Sequence, residues 1–220
     1  NVSKLKARYG QAKVLLLRRI TEHSFNCSKL IKSLSALVAP DGYMMLELPD
    51  SQRIFNASNY PFIWEEHISY FTESSARRLA QEVNAQVVWL GRYAYPYEDS
   101  LNVVLQFSTD SAGVSNVSSR ALVPKQTSSF FDQFSEVQKQ WQTKLQDIRN
   151  KGDKVAVFGA GHLAAKFINF FEIKDLITCV IDDHPKKVGM YMPGSGLPII
   201  PSTQLQKLSI RYCVSTLSPQ

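Results

Sequence analysis

Cysteine is scarce in this 220-residue chain, and Cys27, Cys179 and Cys213 lie far apart and are odd in number. No C-x-x-C pair occurs, so neither a disulfide framework nor a zinc ligand set is expected; reduced thiols in a cytoplasmic protein are the natural reading. Histidine is also sparse, at four residues without metal-ligand spacing, and the sequence predicts no metal site. No apolar run approaches the roughly 20 residues of a membrane span, and the longest, Val14–Leu17, is only strand-sized. A signal peptide's basic start, apolar middle and small-residue cleavage site are missing too. The chain begins at Asn1 rather than Met, so a processed chain or a piece of something longer is expected. Its net charge of +6 is mild, and Lys and Arg are scattered apart from the pairs Arg18-Arg19, Arg77-Arg78 and Lys186-Lys187. Nucleic-acid binders show denser basic patches, whereas a phosphate-bearing small molecule suits this charge. There is no Ser nucleophile elbow, and nothing near Cys27 in sequence would activate its thiol.

What the chain does have is enough apolar material, 44% of residues, to bury a core. "KVLLL" (13–17) reads as a buried strand. Leu30, Ile31, Leu34, Leu37 and Val38 follow the helical period, with a turn at Pro40 and Gly42. "YMMLELP" (43–49) reads as a second buried strand, and Thr72 as the N-cap of a helix carrying Ala76, Leu79 and Val83. Two further segments, 85–96 and 100–108, read as an antiparallel pair. Residues 1–107 thus alternate as a layered α/β domain. Residues 108–128 read as a linker and 129–150 as a connecting helix with Phe130, Phe134, Val137, Trp141, Leu145 and Ile148 on its period. From 151 to 220 a second α/β unit is expected, incomplete at its C-terminal end.

Three constellations could carry chemistry. "FGAGHLA" places Gly159, Gly161 and Ala164 in a G-x-G-x-x-A turn after a strand, with His162 inside it and Asp182 ending the next strand. That is the Rossmann arrangement, in which glycines admit a pyrophosphate and the acid holds a ribose; the same glycines could instead serve helix–strand packing. Gly194, Ser195 and Gly196 could line an anion nest or make a plain turn. Lastly, "PFIWEEHISYFT" (61–72) sets Glu65, Glu66 and His67 among aromatics, while Glu22-His23 follows the first strand and Glu47 ends the second. Two His–acid pairs converging beyond the strand ends could do acid–base work near neutral pH.

The order of "ITEHSFNCSKLIKSLSALVAPDGYMMLELPD", "YPFIWEEHISYFT" and "VAVFGAGHLAAKFI…VIDDHPKKVGMYMPGSGLPIIP" resembles that of the nucleotide-sugar C-methyltransferases, S-adenosylmethionine-dependent enzymes of deoxysugar biosynthesis. The resemblance implies the second half of a class I methyltransferase-like sheet, then a helix and a Rossmann-like domain that helps hold a nucleotide sugar. It implies proton removal alpha to a ketone and attack of the enolate on the sulfonium methyl. Carried over, His67 is the base or proton relay, Glu66 orients it and His23 lines the pocket. Trp64, Tyr70 and Glu47 border the substrate, and Gly159, Gly161, His162, Asp182 and Gly194 border its nucleotide. Trp64 departs from the family's tyrosine and cannot supply a phenolic proton. The family's cofactor loop and zinc module are expected upstream of residue 13, so this chain alone is not expected to methylate. Two other readings stay open: an NAD(P)-dependent oxidoreductase-like module, resting on the glycine turn and Asp182, and a non-catalytic nucleotide-sugar-binding protein.

Overall fold

A computed structural model describes residues 1–96, 98–107 and 125–216, and the chain divides into two compact units, each an α/β layer. The first comprises Asn1–Phe55 and Trp64–Val123, the second Asn56–Ile63 and Pro124–Gln220. The mixed α/β class expected from the sequence is the one found.

In the first unit, helix α1 (Val2–Tyr9) precedes strand β1 (Ala12–Arg18), helix α2 (Cys27–Ser35) and the long strand β2 (Val38–Pro49). A short helix α3 (Gln52–Asn56), helix α4 (Glu73–Glu82) and strands β3 (Ala85–Tyr93) and β4 (Ser100–Phe107) follow. The sheet order is β1-β2-β4-β3, with β1 and β2 parallel and β4 antiparallel to both its neighbours. The antiparallel β3–β4 pair agrees with the sequence reading.

Met44, Leu46 and Leu48 alternate along β2 and pack with Leu101, Val103 and Leu105 of β4 in one core, capped by Ile31 of α2 and Leu79 of α4. Each such side chain contributes about 1.5–3 kcal/mol on burial. Helix α2 starts at Asn26, whose side chain accepts from the Lys29 amide at 2.8 Å. Helix α4 starts at the expected Thr72, in a reciprocal capping box with Ser75.

Two local expectations are corrected. Strand β1 is not buried on both faces: Leu17 is buried and Leu15 packs on the core, but Val14 and Leu16 are exposed. It is an edge strand, paired among the described residues with β2 alone, and the core lies on one side of it. Leu37 and Val38 do not extend α2, and Pro40-Gly42 is no turn between elements. It is an irregularity inside β2, where the partner of Ala12 is Val38 and that of Val14 is already Tyr43. Gly42 is required there because a Cβ would stand 2.7 Å from the Lys13 carbonyl oxygen.

In the second unit, helices α5 (Lys125–Asp132) and α6 (Phe134–Asn150) lead to strand β5 (Lys154–Phe158), helix α7 (His162–Phe170) and strands β6 (Cys179–Ile181), β7 (Ile199–Ile200) and β8 (Ile210–Ser215). The sheet is parallel throughout, ordered β7-β6-β5-β8, as crossovers through α7 and the loops require. The connecting helix is two helices broken at Gln133, and the first begins inside the stretch expected to be a linker. The rest of that stretch, 108–124, lies outside the described residues.

Residues Asn56–Ile63 also belong to this unit, which the sequence did not foretell. Tyr60 is buried, donates its hydroxyl hydrogen to the Phe130 carbonyl at 2.7 Å, and packs tilted against Phe130 and edge to face against Phe134 at 4.4 and 4.9 Å between centroids. The Lys166 ammonium of α7 bonds the Ile63 carbonyl. The aromatic residues of α5 and α6 therefore have an anchor from far upstream.

Candidate active site

The site in the first unit grows out of the end of β1. After Arg18 the chain reverses through Arg19 in the left-handed region (φ 52°) and enters a single 3-10 turn, Thr21–His23. That turn buries Glu22, at 1% exposure, and leaves His23 at the surface. The second segment, Trp64–Tyr70, is pinned against it: the amides of Ile68 and Ser69 both donate to the Glu22 carbonyl, at 2.8 and 3.0 Å. Tyr70 closes the segment on itself, taking the Trp64 amide and donating to the Trp64 carbonyl, both at 2.9 Å. The half-buried His67 amide donates to the same carbonyl at 3.1 Å.

These constraints bring together the two imidazoles that the sequence holds 44 residues apart. The rings of His23 and His67 meet edge to face with centroids 4.9 Å apart, and Trp64 and Tyr70 lie within 6.3 and 6.0 Å of the His67 ring. His23 Nδ1 stands 2.8 Å from the Glu66 carbonyl oxygen. A carbonyl can only accept, so Nδ1 carries the hydrogen and Nε2 the lone pair.

The acid beside the rings is Glu22. One ligand atom each from Glu22, His23 and His67 lies within 4.8 Å of the others. Glu22 Oε2 is buried without a hydrogen-bond partner, and burial pushes its carboxyl above the usual glutamate range, against the pull of His23 and Arg19. Glu66, expected to orient His67 through its carboxylate, is exposed and contributes its main-chain carbonyl, to His23. No metal site is expected from the sequence; the fold brings three possible donors together from two segments that show no ligand spacing in sequence.

The other expected pocket residues have different partners. Glu47 is ion-paired with Arg18 at 2.6 Å and Arg19 at 3.7 Å, and the Arg18 bond holds its carboxyl below the usual range. The Tyr70 hydroxyl is spent on the Trp64 backbone, and burial raises its pKa.

In the second unit, Gly159 adopts φ 92° and its amide donates to Ile181 across the sheet, while Gly161 caps α7 and His162 is its first residue. Asp182 ends β6 as expected, but its carboxylate is occupied from within. Oδ2 accepts from the Ala160 amide and the Lys187 ammonium, both at 2.9 Å, and Oδ1 from the His184 amide at 2.9 Å. Burial works against ionisation, yet these donors hold the carboxyl below its usual range. Nor do Ser195 and Gly196 form an anion nest, since their amides donate to the Pro193 and Met192 carbonyls. Gly194, at φ 76°, is needed because a Cβ would run into the Asn169 amide, which itself donates to Pro193.

The described glycines of the first unit, Gly10, Gly42 and Gly91, follow α1 or lie inside β2 and β3. None sits at a strand-to-helix turn, so the described residues of the first unit form no glycine cradle for a nucleoside cofactor.

Comparison with known proteins names the class and then the kind. Residues 3–90 match the family model described as a methyltransferase domain. Residues 120–214 match that of the C-methyltransferase C-terminal domain. Each model covers under half of the chain, and both agree with the likeness to C-methyltransferases read from the sequence. A curated relative, C-methyltransferase NovU of Streptomyces niveus, is 29% identical over 84 residues, 38% of this chain and 20% of that protein. Among solved structures, magnesium protoporphyrin IX methyltransferase of Synechocystis PCC 6803 with bound SAH overlaps 44% of this chain and 46% of its own, at 13% identity and TM-score 0.36. LepI in complex with SAM overlaps 44% of this chain and 27% of its own, at 15% identity and TM-score 0.36. The chain thus spans a fifth of the curated relative and under half of these structures.

Proposed function

We propose that this chain is the substrate-side part of a C-methyltransferase acting on a carbon alpha to a ketone of a nucleotide-linked sugar, in cytoplasmic deoxysugar biosynthesis. One observation carries the reading: two imidazoles 4.9 Å apart beside a buried carboxyl group with one unpartnered oxygen, in a loop closed by Tyr70. When bound, S-adenosylmethionine supplies an electrophilic methyl group.

This chain's own work is the proton. A carbon alpha to a ketone must surrender one before it can attack, and a neutral imidazole lone pair can accept it near neutral pH. His67 takes that proton, leaving the electron pair in the enolate. Its neighbour His23, with Nδ1–H held by the Glu66 carbonyl, presents Nε2 to pass the proton outward. Glu22 steadies the resulting imidazolium, since an opposite charge within 4–6 Å favours the charged ring. Trp64 walls the site and supplies no proton, so the phenol that the family pattern places there has no counterpart in this mechanism.

The second unit's own candidate phosphate contact is the N-terminus of α7 behind Gly161, because the amides of Gly159, Ala160 and Gly161 are taken by Ile181, Asp182 and Gly159. Asp182 is committed to Ala160, His184 and Lys187, which disfavours a ribose contact and with it the nicotinamide reading. Calorimetric titration of the chain with thymidine diphosphate and then with NAD tests the substrate class. Saturable binding of the diphosphate alone is expected; binding of NAD in its place would contradict the reading.

A further inference from the structure

We propose that Glu22, His23 and His67 form a binding site for a divalent transition-metal ion such as Zn2+. The three donors are a carboxylate and two imidazoles, with ligand atoms within 4.8 Å of one another. Bonds of about 2.0–2.2 Å place donors roughly 3–4 Å apart around such an ion, so a modest turn of the imidazoles closes the set. They have room for it, because His23 is exposed and His67 only half-buried, while burial fixes Glu22.

Two independent features aim the cluster at a cation. The first is Glu22 Oε2, buried at a residue 1% exposed and without any hydrogen-bond donor. An uncompensated buried carboxylate is costly, and a cation within bonding distance compensates it. The second is the Glu66 carbonyl at 2.8 Å from His23 Nδ1. Metal-ligating histidines characteristically donate their other ring N–H to such an acceptor, which fixes the tautomer and aims the lone pair. Imidazole donors select a late transition ion over Mg2+ or Ca2+, and three protein ligands leave a position open for water or a substrate oxygen.

Metal and proton compete for the same lone pairs, so Zn2+ would suppress the proton transfer proposed above. The site itself stands on metal binding alone, whichever substrate the protein takes. Failure of proton transfer in metal-free protein would count against the proposed function and leave this inference intact.

The test is titration of the chelator-stripped 220-residue chain with Co2+, followed by absorbance and displaced with Zn2+. One saturating site with visible d–d bands is expected, weakened at least about ten-fold in each of Glu22→Gln, His23→Gln and His67→Gln. Because Glu22→Gln alters a buried position, the wild-type chain provides a second readout. Bound Co2+ should broaden the ring resonances of His23 and His67 before those of His162 and His184. Three results would each overturn the site: no saturable binding, unchanged affinity in the two histidine variants, or an intense cobalt–thiolate band assigning the ion to a cysteine instead.

Discussion

Each unit carries an acid beside the turn that leaves a parallel strand, and the two acids are in opposite states. Asp182, after β6, accepts three hydrogen bonds from its own chain and is held in its charged form. Glu22, after β1, is buried with an unpartnered oxygen, and desolvation favours its neutral form. A carboxylate whose donors are all internal stiffens a turn. One buried with an oxygen left unpartnered is poised for something that arrives, whether a proton, an imidazolium or a cation. Chemistry is therefore assigned to the first unit, and Asp182 is read as a structural clasp.

The sharpest break in this comparison would come from activity. His67→Gln is expected to lower exchange of the ketone's alpha proton about 10²–10⁴-fold, while Asp182→Asn leaves that rate within a small factor; NMR of the substrate in D2O reads both. Stability should sort the acids the other way. Asp182→Asn loses charge-assisted bonds to Lys187 and two amides and is expected to cost about 1–3 kcal/mol in urea denaturation. Thr72→Ala, which removes the α4 capping box, should cost about 1 kcal/mol by the same measurement.

The smallest effect is in pH dependence. Asp182 has a lowered folded pKa, so its stabilisation is present above the ordinary aspartate value and fades as pH falls through the depressed one. Glu22 has a raised folded pKa, so its contribution is present below the ordinary glutamate value and lost as pH rises through the elevated one. Glu22→Gln should thus gain stability relative to the wild type as pH rises from the ordinary glutamate value through the elevated one, measured as the melting-temperature difference.

Much of this was legible in the sequence. Apolar strand-length runs marked β2 and β4, Thr72 announced α4, and the glycine turn with Asp182 placed β5, α7 and β6 in order. The pairing of His23 with His67 could be anticipated because both follow neighbouring strands of one sheet. What stayed hidden were the relations that only three-dimensional packing decides. Glu22 and Glu66 each precede a histidine, and only the 3-10 turn and the hydrogen bonds from Ile68 and Ser69 send one acid inward and leave the other in water. Pro40 and Gly42 look like a turn until the crowding of Gly42 against Lys13 reveals a strand irregularity. Tyr60 reads as part of the aromatic stretch around His67, yet its hydroxyl is anchored on Phe130, 70 residues on.

The most direct test of the central claim needs no methyl donor. The wild-type chain, stripped of metal, is incubated in D2O with a nucleotide-diphosphate keto-deoxyhexose, and deuterium is followed at the carbon alpha to the ketone. Incorporation well above the rate in buffer is predicted, because the proton leaves to His67 before any methyl arrives. A nucleotide sugar that binds the chain and yet exchanges no faster than in buffer would contradict the account.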